Sequence, residues 1–261
     1  MLPEPWLPAW VDPNGKPTES FQFSFYKVYT DEGITGIGPD TGYPDLSEIV
    51  GFDPFFVGEF WDKTMSGKGG SASGKNGAGL EVAMWDIIGK VAGMPLYKIL
   101  GARRKRARVY AATSRLLPIE QQVEHVQGLM EEGFQAVKLR LHRPDPKDDL
   151  AMVEAVRNAL GDDLMILVDA NQNNFVPDGM RWSRGTALMM AEELEKLNVY
   201  YLEEPLPRAD IEGLAAIANS VDMFIAGGEH SRTVYEFKEH ILQGAYDIVQ
   251  PDVVMMGDIG I

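Results

Sequence analysis

ILVDAN (166–171), YYLEEP (200–205), FIAGGEH (224–230) and DIVQPD (247–252) are four versions of one event, a short apolar strand that ends in a carboxylate. AVKLRLH (136–142), just upstream, ends in cations instead. Amphipathic segments fill the intervals. Gly133, Gly161 and Gly244 follow three of them as helix stops, and Asp145-Pro146 supplies an N-cap with proline at the first helical position. The strands are continuous apolar runs rather than alternating ones, as expected of a parallel sheet covered on both faces. Alternation of strand and helix gives an α/β chain with side chains converging at the carboxyl ends of the strands. With RVYAATS (108–114) as the first strand, six βα units are expected.

Upstream the rhythm differs. FQFSFYKVYT (21–30), a DEG turn and ITGIG (34–38) read as an antiparallel hairpin. LEVAMWDIIGKVAG (80–93) places Leu80, Ala83, Met84, Ile87, Ile88 and Val91 on one helical face, with Gly93 and Pro95 as stop signals. Residues 1 to about 20 read as an irregular leader, and the Gly/Ser/Lys-rich stretch 66–79 as a mobile loop. The expected division is an α+β domain over residues 1–105 and a barrel domain over 106–261, ARRKRAR (102–108) being a solvated link between them. A closed (β/α)₈ barrel takes about 250 residues, so the barrel is expected to be incomplete here: either the sheet stays open or the chain is a fragment of a longer protein, the fragment being favoured because an open edge strand leaves backbone groups unpaired.

Composition narrows the function. The 261 residues carry 39 acidic against 24 basic side chains, a net charge of −15, which leaves no basic stripe for nucleic acid. Without cysteine there is neither a disulfide framework nor a thiolate metal site. No apolar run reaches membrane-spanning length, no secretory signal is recognisable, and the expected location is cytoplasmic.

Asp169, Glu203 and Glu229 each end an apolar strand, with Asp252 in the next unit. Any one of them alone would be read as a cap or an ion-pair partner. In successive units they would repel without a cation, and oxygen donors suit a hard divalent ion such as Mg²⁺. Lys138 and Arg140, two apart, should share the interior face, where an unpaired cation is costly. Their partners are either those carboxylates or an anionic substrate. Asn171 lies two residues past Asp169 and is placed to support a ligand or touch substrate. Glu204 should face away from Glu203. His142 and His230 fall just past strand ends, where surface loop histidines are common, although His230 follows a proposed ligand. His125 and His240 fall in helices and are set aside.

Lys138-x-Arg140, Asp169-Ala170-Asn171, Glu203-Glu204-Pro205, GGEH (227–230) and QPD (250–252) together resemble the mandelate racemase branch of the enolase superfamily, and LEVAMWDIIGKVAGMPLYKILG (80–101) resembles the end of its capping domain. The resemblance runs from about residue 21 to the end. It implies a (β/α)₇β TIM-like barrel with an α+β cap, and Mg²⁺ held by Asp169, Glu203 and Glu229. It implies proton abstraction α to a carboxylate, Lys138 and Arg140 as catalytic and substrate-binding cations, and Asn171 and His230 against the substrate. Asp252 would orient a histidine on the following strand, which lies beyond residue 261. Racemases of this branch have a lysine where Arg140 stands, and arginine is a poor base. An acid-sugar dehydratase, similar to the L-rhamnonate type, is therefore the expected activity, acting on a small carboxylate-bearing substrate as a homo-oligomer. The alternatives are a racemase or epimerase using Lys138, and an inactive metal-binding remnant.

Overall fold

The computed structural model describes residues 16–43, 45–65, 77–173, 176–177 and 179–256. The first fifteen residues, most of the 66–79 stretch and the terminal GDIGI lie outside them, and with them most of the expected leader and the expected loop. The described chain forms two compact units.

One unit comprises Gln22–Ala107, Glu229–Glu236 and the chain from Pro251. Strands β1 (Phe25–Tyr29) and β2 (Thr35–Pro39) pair antiparallel around a turn that Gly33 closes at φ +82°. Helices α1 (Val57–Met65), α2 (Ala78–Ala92) and α3 (Leu96–Ile99) follow, and α2 ends as expected on a left-handed Gly93. Helix α2 lies directly on β2. A Cβ on Gly38 would come 1.9 Å from the Gly79 carbonyl oxygen, and one on Gly36 2.1 Å from that of Ala83. Leu80, Ala83, Met84 and Ile87 form the buried face, but Val91 is exposed, so the apolar stripe is one turn shorter than its periodicity suggests.

The other unit holds the parallel sheet. Its strands are β3 (Ala111–Ala112), β4 (Ala136–Arg140), β5 (Met165–Asp169), β6 (Val199–Glu203), β7 (Phe224–Gly227) and β8 (Ile248–Val249), each hydrogen-bonded to the next in chain order. Helices α4 (Ile119–Glu131), α5 (Pro146–Leu160), α6 (Arg184–Lys196), α7 (Ile211–Ala218) and α8 (Val234–Leu242) connect them, and a short α9 (Val253–Met256) follows β8. This sequential order is that of a partial TIM-type barrel. Three caps fix the helix starts: Asp145 accepts from the Lys147 N–H, Ser183 from Thr186 and Asp210 from Gly213. The first strand is shorter than RVYAATS suggested.

Val137, Leu139, Leu141, Ile166, Val168 and Leu202 turn toward Val153, Val156, Met190, Ala191 and Leu194 of the helices to make the main core. The opposite sheet face carries Leu167, Tyr201 and Ala226 in one layer. The β5–β6 register is irregular: Ile166 stands opposite Val199, but Val168 opposite Leu202 and Asp169 opposite Glu203. One extra residue on β6 constitutes a β-bulge. Paired regularly from Val199, the same sequence would put Leu202 opposite Asp169.

At the amino ends of the strands a single buried guanidinium gathers four carbonyls. Arg157 donates to Leu197 and Asn198 at 3.0 Å each, and to Gly161 and Leu164 at 2.7 Å each, tying α5, β5 and the α6–β6 turn together.

Candidate active site

The carboxyl ends of β4, β5 and β6 bring Lys138, Arg140, Asp169 and Glu203 to one place. In register, Arg140 faces Asp169 and Asp169 faces Glu203. The Lys138 Nζ lies 2.7 Å from the Glu203 Oε2 and 3.4 Å from the Asp169 Oδ2. The Arg140 guanidinium pairs with Asp169 and reaches the Asn171 Oδ1 at 3.3 Å, while its Nε is held by the Thr113 carbonyl at 3.1 Å. Both carboxylates and Lys138 are buried.

The electrostatics follow from that crowding. Burial, reinforced by the charge of Glu203, pushes the Asp169 carboxyl up to about 7 against the pull of Arg140 and Lys138. Burial works against the Lys138 charge, but Asp169 and Glu203 outweigh it and hold its pKa above the ordinary lysine value. Two adjacent buried carboxylates therefore need positive charge, and their donor atoms are hard oxygens. The set fits a divalent ion such as Mg²⁺.

Local backbone explains the Asp-Ala-Asn sequence. The Asn171 N–H donates to the Asp169 Oδ1 at 2.9 Å, and Asn171 sits at φ +49°, a region asparagine tolerates better than most residues. Glu204 departs from strict alternation: at φ +46° the chain has left the strand, and its buried carboxylate accepts from the Asn173 amide at 3.1 Å.

The remaining expected residues lie in the hairpin-containing unit. Glu229 follows β7 by two residues, and its Oε1 is 3.3 Å from the His230 Nδ1. Asp252 accepts from the Val254 N–H at 2.7 Å and caps α9. Two contributors, Tyr110 and Thr113, had no signal in the residue pattern. The ring of Tyr110 lies 5.8 Å from the Lys138 Nζ, within cation–π range. Thr113 binds the Lys138 carbonyl through its N–H (2.9 Å) and Oγ1 (3.0 Å). His142, expected on the surface, is 2% exposed. Burial pushes its pKa below the ordinary histidine value, and the nearby Ala170 carbonyl opposes the shift. Among the described residues no helix is long and apolar enough to cross a membrane.

Residues 16–101 match the family described as mandelate racemase / muconate lactonizing enzyme, N-terminal domain, and residues 121–260 match the enolase C-terminal domain-like family. L-talarate/galactarate dehydratase of Salmonella typhimurium is 33% identical over 249 residues, covering 92% of this chain and 59% of that enzyme. Arabinonate dehydratase of Saccharolobus solfataricus is 31% identical over 254 residues, 89% of this chain and 65% of the relative. The crystal structure of the Salmonella dehydratase liganded with Mg and L-lyxarohydroxamate aligns with a TM-score of 0.84 at 31% identity, covering 99% of this chain and 69% of that one. A racemase from Streptomyces coelicolor with bound magnesium aligns at a TM-score of 0.73 and 26% identity, covering 90% and 77%.

Proposed function

The chain belongs to the mandelate racemase / muconate lactonizing enzyme family of the enolase superfamily, and from that premise we propose that it carries the metal-binding part of a Mg²⁺-dependent acid-sugar dehydratase. The observation that carries this reading is the buried row Arg140–Asp169–Glu203 with Lys138 on its flank. In this reading residues 1–105 form the cap and 106–261 the barrel. Asp169, Glu203 and Glu229 would hold the ion.

When bound, Mg²⁺ supplies charge that favours the enediolate form of a substrate carboxylate. Arg140, fixed by Thr113 and Asn171, clamps that carboxylate through its planar fork of N–H donors. Lys138 adds a second positive charge on the same wall. An arginine cannot take up a proton from carbon, so the two-base arrangement of a racemase is disfavoured, whereas a dehydration needs a single base and an acid for the departing hydroxyl. In this reading Asp252 is a member of the acid/base pair, and Asn171 and His230 contact the substrate. The dehydratases among the relatives, including those for talarate/galactarate and arabinonate, support the substrate class.

The test has two parts. Calorimetric Mg²⁺ titration of wild type against Asp169→Asn, Glu203→Gln and Glu229→Gln should show affinity falling at least about tenfold in each, since even neighbours of metal ligands cost about that much when altered. Screened against acid sugars with Mg²⁺, the protein should release a 2-keto-3-deoxy acid. Bound Mg²⁺ with exchange of the α-hydrogen but no dehydration would refute the dehydratase reading and favour an epimerase.

A further inference from the structure

Lys138 and Arg140 are two members of a row that continues one step further. Val137, Leu139 and Leu141 all turn into the helix-covered core. The Leu141 N–H still donates to the Asp169 carbonyl at 2.8 Å, so the ladder persists past the last residue of β4. Residues of an extended strand alternate faces. His142 therefore follows Lys138 and Arg140 on the carboxylate side of the sheet.

Its backbone is pinned there. Asp149, fully buried at the start of α5, accepts from the Arg143 N–H at 3.0 Å and binds the Arg143 guanidinium at 2.8 Å. Arg143 in turn donates to the Leu117 carbonyl at 2.7 Å. The His142 ring lies beside Ala170, between Asp169 and Asn171 in the chain. Neither ring nitrogen has a hydrogen-bond partner among the described residues.

A buried imidazole without partners is costly, because its donor and its acceptor have both given up water. A neutral imidazole offers one N–H and one lone pair, and an alcohol offers the complement of both. We propose that His142 is a further substrate-contacting residue, binding a hydroxyl of the polyhydroxy acid whose carboxylate the adjacent Arg140 clamps. The proposal rests on the acid-sugar reading given above and adds to it the group that distinguishes a hydroxylated acid from a plain one.

The experiment uses the chain as it stands, with saturating Mg²⁺, and two six-carbon diacids as probes. Galactarate carries four hydroxyls and adipate carries none. Calorimetry should show wild type preferring galactarate. His142→Phe, which keeps a flat ring and removes both nitrogens, should weaken galactarate at least about tenfold while leaving Mg²⁺ and adipate binding unchanged. His142→Gln, with a donor and an acceptor, should recover part of the loss. If His142→Phe does not fold, the ring ¹⁵N resonances of wild-type His142, assigned through His142→Gln, should move on adding galactarate and stay put with adipate. Equal loss for both diacids, no loss for either, or an unmoved His142 signal when galactarate binds would overturn the contact and leave the metal-site reading intact. Wild type that binds no Mg²⁺ would overturn the functional reading, and the contact with it.

Discussion

Replacing Arg157 with methionine keeps the length and apolar stem of the side chain and removes five N–H groups. Four of its bonds, at 2.7–3.0 Å, serve the carbonyls of Gly161, Leu164, Leu197 and Asn198. A hydrogen bond to a charged group contributes about 1.5–3 kcal/mol, and a neutral one about 1. Taking the lower figures, four bonds amount to about 4–6 kcal/mol. Water reaching the outer carbonyls and the relieved burial of the guanidinium offset part of this, so the net loss should be about 3 kcal/mol. With a urea slope of about 2 kcal/mol/M, the unfolding midpoint should fall by roughly 1.5 M. Trp182, buried in the same unit, is the fluorescence reporter. Arg157→Lys should recover less than half, because one ammonium cannot span four carbonyls. Asp162→Asn should change little, since Asp162 is 86% exposed and 3.9 Å from the guanidinium. Mg²⁺ affinity should hold in every variant, because the cluster sits at the amino ends of the strands. A midpoint for Arg157→Met within about 0.3 M of wild type would refute this account.

Two further outcomes follow from the geometry. Burial pushes the Asp149 carboxyl up to about 6, against the opposing pull of Arg143. A carboxyl whose folded pKa lies above its unfolded value of about 4 favours the fold below that pH, and the advantage is lost as pH rises through about 6. Wild type should therefore lose up to about 3 kcal/mol relative to Asp149→Asn between pH 4 and 7, and urea midpoints that run parallel for the two proteins would contradict this. Gly38→Ala drives a methyl into the Gly79 carbonyl of α2, so it should cost more than about 2 kcal/mol by thermal melting; a variant as stable as wild type would show that helix and hairpin can separate.

The α/β order, the helix caps at Asp145 and Gly161 and the carboxylate-ended strands were legible because each depends on neighbours close in sequence. Lys138 and Arg140 were correctly placed together because strand alternation is local too. His142 was misjudged as a surface residue because burial past a strand end depends on how the chain beyond it is held, here by Asp149 from the next helix. The orientation of Glu204 escaped for a different reason: a single left-handed residue breaks the period of two, and nothing in Glu-Glu-Pro announces φ +46°. Arg157 carries no local signal, since its four acceptors are split between two connections, α5–β5 and α6–β6.

The bulge in β6 has a consequence for how this site can vary. Paired regularly from Val199, the same sequence would deliver Leu202 to the row of charges and Glu203 to the core beside Val168. Absorbing one extra residue before Leu202 restores the opposite alternation, so Glu203 is presented by a kink as much as by its own place in the sequence. Loss of Tyr200 itself would remove the kink and its cause together, leaving Leu202 opposite Val168 and Glu203 opposite Asp169. The segment that presents the second carboxylate can therefore be shortened by that one residue without turning Glu203 away from the cations.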